Sequence, residues 1–313
     1  MKRDFTYLSH DGKTQVHAVE WLPEGEPKAV LQLCHGMCEF IGRYDAFARY
    51  LAGHGFAVVG NDHLGHGESV AGDDLHGYFA ETGANDCLLE DMHALRKTAA
   101  EKFPGLPYFL LGHSMGSFLA RQYIARYGEG LSGAVLMGTG SQPVPVLAGG
   151  KAICRLSALF GGWKKRSRFV NGMVLGSNNK RFEPARTKND WLTKEHDVVD
   201  AYNKNPWCTF VFTLNGFDTL FRAIGDCQKP ATVARVPKEL PLLFVSGEED
   251  PVGAFGSGVE KAFRLYEKAG IRDVAMKLYP GDRHEILNES DREEVFADLL
   301  HWFEKRIPAK SGA

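Results

Sequence analysis

Short apolar runs, each closing on glycine or a polar loop, alternate with longer stretches in which apolar residues return every three or four positions. The runs are AVLQLC (29–34), FAVVG (56–60), YFLLG (108–112), GAVLMG (133–138), PLLFVSG (241–247) and VAMKLY (274–279). A strand apolar on both faces must be covered on both, so these runs predict a mostly parallel sheet flanked by helices. Ahead of them, residues 4–9 and 15–22 flank His10-Asp11-Gly12-Lys13 and predict a β-hairpin, Asp-Gly being a strong turn signal. The helical stripes are plain. Residues 84–103 align Leu88, Met92, Leu95 and Ala99, and residues 117–127 align Phe118, Leu119, Tyr123 and Ile124. Residues 292–306 bury Val295, Phe296, Leu299, Leu300, Trp302 and Phe303, and leave Glu293, Glu294, Asp298, Glu304 and Lys305 to water.

The alternation breaks once. Between the runs at 133–138 and 241–247 lie helical fragments punctuated by Gly149-Gly150, Gly161-Gly162, Gly172, Gly176 and Gly216, with no clear buried strand. The fold class expected is α/β, with residues 1–138 and 241–313 as the core. Residues 139–240 are expected to form a mobile helical cap over the carboxyl ends of the strands.

Ligands of open α/β sheets bind beyond those strand ends, so the residues following each run are the candidate chemistry. After 108–112 comes His113-Ser114-Met115-Gly116, leading into a helical stripe. The spacing G-x-S-x-G alone is easily met in a chain with 35 glycines. Its strand–turn–helix setting is what points to a nucleophile, Ser114, lifted out of the sheet on a tight turn. That turn aims the Met115 N–H at the place where an oxyanion would form. After 29–34 comes His35-Gly36-Met37-Cys38-Glu39, where Gly36 admits a close backbone approach and Met37 is the candidate second oxyanion donor; a simple turn is the plainer alternative. After 241–247, Asp250 precedes Pro251 and is the candidate acid, with Glu248 or Glu249 as alternatives. After 274–279 comes His284. The other histidines beyond residue 190 are His196 in the cap and His301 on the final helix, so the order Ser, Asp, His selects His284 as base.

Composition narrows this little. Hydrophobic residues make up 44% of 313 and charged residues 24%, as in an ordinary globular protein. A net charge of −2 offers no broad field for nucleic acid or acidic membranes. The length allows one large α/β domain with an insertion, or two small domains. Six cysteines are scattered without a CxxC pair; Cys34-His35-x-x-Cys38 resembles half a metal site, but no second half accompanies it. The start, MKRDFTYLSHDGK, has no apolar run after its basic residues, and no stretch approaches the ~20 apolar residues that span a bilayer. A cytoplasmic protein with free thiols is expected. His63, His66 and His76, in and after Asn61-Asp62-His63-Leu64-Gly65-His66-Gly67-Glu68-Ser69, are expected to frame the nucleophile rather than bind metal. His35 and His113 read as hydrogen-bonding residues that shape their loops.

These residues resemble the monoacylglycerol lipase and lysophospholipase branch of α/β-hydrolase fold serine hydrolases, which are serine aminopeptidase S33-like. The matching pieces are His35-Gly36-Met37-Cys38-Glu39-x-x-x-Arg43-Tyr44, Asp62-His63-Leu64-Gly65-His66-Gly67-Glu68-Ser69, Gly112-His113-Ser114-Met115-Gly116, Asp250 and Gly281-x-x-His284, spread over residues 30–120 and 240–290. The resemblance implies a triad of Ser114, His284 and Asp250, oxyanion N–H groups on Met37 and Met115, an acyl-enzyme, a carboxylic ester substrate, and no metal or organic cofactor. Cys38 stands where such lipases usually have Gly, and Phe40 where they usually have His.

The substrate side is read from the cap. Ile153, Leu156, Leu159, Phe160 and Trp163 share one broad face, with Lys164, Lys165, Arg166 and Arg168 following. This reads either as an apolar lid with a cationic edge, touching a lipid surface transiently, or as a helix packed on the body with a solvated charge run. The aromatic segment from Trp207 to Phe221 reads as acyl pocket or cap core. Gly36, Cys38, His113, Phe160 and Phe212 are the candidate substrate contacts. A proline iminopeptidase-like peptidase and a non-catalytic ligand-binding relative are the alternative functions. The partner expected is a small acyl ester or lipid, with no nucleic acid, and the oligomeric state stays open.

Overall fold

The computed structural model of the protein describes residues 1–308. Eight strands form one sheet: β1 Lys2–Leu8, β2 Gln15–Trp21, β3 Ala29–Cys34, β4 Phe56–Asn61, β5 Tyr108–His113, β6 Gly133–Met137, β7 Leu242–Gly247 and β8 Val274–Tyr279. Their order is β1-β2-β4-β3-β5-β6-β7-β8. The β1–β2 hairpin and its pairing to β4 are antiparallel; every later pairing is parallel. All six positions of β3, β4, β5 and β7 are buried, as their uninterrupted apolar runs require.

The period of two divides each strand between two cores. Leu31, Leu33, Phe109 and Leu111 pack with Phe47 and Leu51 of α1 (Asp45–Gly53) and with Phe296 and Phe303. Leu110 and Phe244 face the other side, with Leu88 and Met92 of α2 (Ala84–Lys102), and Leu119 and Tyr123 of α3 (Met115–Tyr127).

Between β6 and β7 the described residues form only helices and turns: α4 Val144–Gly161, α5 Arg168–Leu175, α6 His196–Lys204, α7 Pro206–Thr209, α8 Leu214–Cys227 and α9 Pro230–Val233. The chain then completes the core with α10 Ser257–Lys268 and α11 Arg292–Glu304. Helix α8 packs on both α4 and α3, so it joins the inserted segment to the helix behind Ser114. Gln142 and Gln228 exchange two hydrogen bonds, of 3.1 and 2.7 Å, and tie the two chain crossings of the insertion together. One expectation needs correcting here. Helix α4, 18 residues with mean hydropathy 1.3, is long and apolar enough to cross a membrane by length and composition, although no span was expected from the sequence. Its glycines and alanines dilute the pattern locally, and few charges interrupt it. In the fold its inner face packs on α8.

Helix α3 begins at Met115, two residues before its apolar stripe, so Ser114 stands directly between the last residue of β5 and the first of α3. Two glycines make that junction possible. A Cβ on Gly116 would lie 2.1 Å from the Cys34 carbonyl oxygen and 2.5 Å from that of His35. A Cβ on Gly112 would meet the Gly116 carbonyl at 2.4 Å. These are backbone atoms and cannot swing aside. Gly116→Ala is therefore expected to destabilise the fold by about 3 kcal/mol, at the upper end for overpacking, read by urea unfolding. An unchanged midpoint would contradict this packing.

Candidate active site

Ser114 has φ 53° and ψ −120°, a left-handed conformation that a non-glycine residue adopts only under strain imposed by its surroundings. Its N–H is held by the Met137 carbonyl at 2.9 Å. The loop after β3 runs against it: a Cβ on Gly36 would lie 3.0 Å from Ser114 Cβ. Met37 and Met115 line the same cavity as Ser114. The Met115 N–H is the first of α3 and has no intrahelical acceptor. The Met37 N–H makes no backbone hydrogen bond among the described residues.

His284 follows β8 and is buried. Its Nδ1 lies 2.9 Å from Asp250 Oδ1. Asp250 is buried after β7 and also accepts hydrogen bonds from the Val252 N–H (2.8 Å) and the Ser246 hydroxyl (2.9 Å). Burial alone would raise the Asp250 carboxyl, but the His284 ring and these two donors hold it below its usual range. Glu248 and Glu249 point to solvent, so the structure brings Asp250, of the three acids, to His284. Trp191, from the insertion, packs on the His284 ring with centroids 5.0 Å apart. Ser114 and His284 line one cavity; no hydrogen bond joins them among the described residues, and such contacts commonly tighten only around substrate.

A buried ionic network supports these loops. Glu39 accepts from the Gly36 N–H, from the Tyr44 hydroxyl at 2.9 Å and from Arg43 at 3.0 Å, and meets His113 Nδ1 at 3.1 Å. Arg43 also donates twice to Glu285, at 2.6 and 2.7 Å. His113 Nε2 lies 3.2 Å from the His284 carbonyl oxygen. Burial opposes ionisation of Glu39, but the His113 and Arg43 charges hold its carboxyl well below the usual range. Burial alone would likewise lower His113, and the Glu39 carboxylate reverses this and raises it. His113 is thus the loop-shaping partner that its place beside the nucleophile implied.

The cavity measures about 540 Å³. Leu147, Ile153, Val174, Leu220, Phe221 and Ile224 supply its apolar wall. Gly36, Cys38 and His113 line it. Phe160 and Phe212 do not, and both expectations are corrected. Phe160 is 88% exposed: it shares a helix face with Ile153, which lines the cavity, but it lies about two turns further on, in the last turn of α4 and beyond the cavity wall. Phe212 is fully buried against His66 and Phe79, at 5.3 and 5.2 Å between ring centroids, because hydrogen bonds from Thr213 to the Gly77 carbonyl pin that stretch to the loop after β4. Arg166, in the basic run after α4, donates to the carbonyls of Asp74, His76 and Val211. Cys38 has φ 54°, a left-handed backbone that glycine adopts without strain, and its Sγ donates to the Phe210 carbonyl at 3.3 Å. Phe40 packs edge-on to Trp207 at 5.1 Å. All six cysteines are buried free thiols. Trp191, Asn178 and Tyr202 line the cavity without any local sequence signal that marks them.

His35, His63 and His66 pack together beneath the loop after β3, with ring centroids 4.4 and 5.1 Å from His35. His35 Nε2 accepts the His63 N–H at 2.9 Å. Burial pushes the His63 ring down to about 4 and the His66 ring to about 3. Both ring nitrogens of His63 lack partners. The unfolded chain takes up these protons near pH 6.5 and the folded chain only below about 4, so stability falls as pH drops through that window. His63→Leu is expected to keep the melting temperature at pH 7.5 and to shallow its fall between pH 6.5 and 4. Equal slopes for variant and parent, followed calorimetrically, would refute the assignment.

The sheet order, the strained Ser114 junction and the Asp250–His284 pair define an α/β-hydrolase fold with the layout of a serine hydrolase. The profile of the family described as Hydrolase_4, serine aminopeptidase S33, matches residues 25–291, and the chain belongs to that family. It is 29% identical over 289 residues to the monoacylglycerol lipase of Mycolicibacterium smegmatis, covering 90% of each chain. It is 29% identical over 298 residues to the monoglyceride lipase of Mus musculus, covering 92% of this chain and 86% of the relative. Among solved structures, a thermostable carboxyl esterase from Bacillus coagulans in complex with glycerol superposes with a TM-score of 0.91 at 30% identity, covering 98% of this chain and 99% of that one.

Proposed function

We propose that the protein hydrolyses monoacyl esters of a small polar alcohol. The observation that carries this is the cavity: one space of about 540 Å³ is lined both by an apolar wall that suits an acyl chain and by Ser114 and His284. His284 Nε2 takes the Ser114 proton as Oγ attacks the ester carbonyl, and the Met37 and Met115 N–H groups hold the oxyanion. The intermediate collapses, the C–O bond to the alcohol breaks, and His284 returns the proton to the leaving oxygen. Water then attacks the acyl-enzyme by the same route, and Asp250 stabilises the imidazolium in both halves. The names of the relatives and the glycerol-bound neighbour support this class of substrate.

A peptidase reading is weaker. An aminopeptidase needs a free carboxylate for the substrate ammonium, and the acids lining the cavity, Glu39 and Glu285, are both held by Arg43. Ser114→Ala is expected to lower kcat on a monoacylglycerol by about 10⁴-fold or more, with the fold intact by circular dichroism. Retention of the parent rate would overturn the mechanism. Release of amino acids from peptides at rates above ester turnover would overturn the substrate class.

We infer also that the outer face of α4 and α5 rests on lipid. Leu156, Leu159, Phe160 and Phe169 are 60 to 88% exposed, while the inner faces of the same two helices line the cavity. Contiguous exposed apolar surface beside a lipid-sized cavity is the arrangement of an interfacial helix. The double variant Leu159→Asp, Phe160→Asp is expected to weaken partition onto phospholipid vesicles by about ten-fold or more and to leave turnover of a short soluble ester unchanged. Dimerisation lost in the variant with vesicle binding unaltered would overturn this placement.

A further inference from the structure

Residues 190–194 of the insertion are bonded to the loop that carries His284, and the bonds fall on both sides of that histidine. Arg283, the residue before it, donates from Nη1 to the Asp190 carbonyl at 2.6 Å. Glu285, the residue after it, donates its N–H to the Leu192 carbonyl at 2.7 Å. In sequence, Trp191 lies between the two acceptors and His284 between the two donors. The two side chains are thereby brought into register, and the Trp191 ring packs on the imidazole with centroids 5.0 Å apart. The Trp191 N–H is itself held by Asn179 Oδ1 at 2.8 Å.

An ion pair fastens the end of this strap. Lys194 Nζ donates to Asp282 Oδ1 at 2.8 Å and lies 3.9 Å from Glu289 Oε2. Both carboxylates are fully buried. Glu289 also joins the two segments through their backbones, accepting the Arg283 N–H on one oxygen (2.9 Å) and the Lys194 N–H on the other (3.1 Å). Burial pushes the Asp282 carboxyl up, and the Lys194 ammonium works against that rise. Without Lys194, Asp282 is a buried carboxylate that has lost its cation, at the join between the insertion and the loop of the base. Lys194 does not line the cavity, so its removal takes away no substrate contact there.

We propose that Lys194 is a positioning residue for the base: by pinning residues 190–194 to the loop of His284, it seats the Trp191 ring against the imidazole and keeps that imidazole in its working orientation. This rests on the ester-hydrolase reading above. The insertion then completes the catalytic site as well as walling the cavity, and a substrate that seats the insertion also sets the base.

The test measures kcat and KM for p-nitrophenyl acetate and p-nitrophenyl dodecanoate, and the rate at which a fluorophosphonate labels Ser114, a reaction that needs the base but no ester. Lys194→Met keeps the aliphatic stem and removes the charge. It is expected to lower kcat on both esters, and the labelling rate, by about ten-fold alike and to leave both KM values within about two-fold, since a misplaced catalytic group costs rate rather than binding. Lys194→Arg, which keeps a cation, is expected to restore most of that loss. Trp191→Leu is expected to lose at least as much on the acetate, and the double variant no more than Trp191→Leu alone, because Lys194 acts through that ring. Losses that multiply in the double variant would overturn the proposal. So would a Lys194→Met protein that loses rate on the dodecanoate alone, or that loses melting temperature and no rate. A parent protein that is labelled at Ser114 but turns over neither ester would overturn the ester reading, and the labelling rates would then decide this proposal by themselves.

Discussion

Four groups converge on the buried carboxylate of Glu39: the Gly36 N–H, the Tyr44 hydroxyl, the His113 ring and the Arg43 guanidinium. They come from the loop after β3, the turn into α1 and the end of β5, and Arg43 carries the connection on to Glu285 beside His284. Three separate strand ends are thereby locked to one another at the place where the loop after β3, Ser114 and His284 come together. A buried ion loses several kcal/mol of hydration, so each partner that is removed leaves a charge uncompensated. That makes the network rigid. The strained φ of Ser114 and the close pass of Gly36 are sustained because the surroundings leave no relaxed alternative.

Around this fixed floor the inserted helices divide the work by face. Helix α4 is apolar nearly all round, which an ordinary surface helix is not. One side packs on α8 and lines the cavity, and the other, with Leu156, Leu159 and Phe160, faces outward. Helix α8 meets α4 on one side and α3 on another, so the wall of the cavity and the helix behind Ser114 share a packing partner. The basic run that follows α4 is structural at Arg166, which staples the insertion to the loop after β4 through backbone carbonyls.

The histidines illustrate how burial decides the role of one residue type. His284 meets a carboxylate, Asp250, and is kept oriented by it. His113 meets Glu39 and is pushed up. His35, His63 and His66 meet mainly one another and apolar rings, and are pushed down. Their common place in loops beyond strand ends gave no means of telling these environments apart.

The sequence by itself determined the sheet, the covering helices and the chain order of Ser114, Asp250 and His284. These rest on local rules: a period of two for strands, a period near 3.6 for helices, and the chemistry of a turn two residues either side of a serine. It also confined the insertion to residues that lack a buried strand. Only the tertiary structure selected Asp250 over Glu248 and Glu249, since three adjacent acids differ by where the chain points them. Only the fold placed Phe160 in solvent and Phe212 in the core, because how far along α4 the body reaches, and what an aromatic-rich loop packs on, are set by segments distant in sequence.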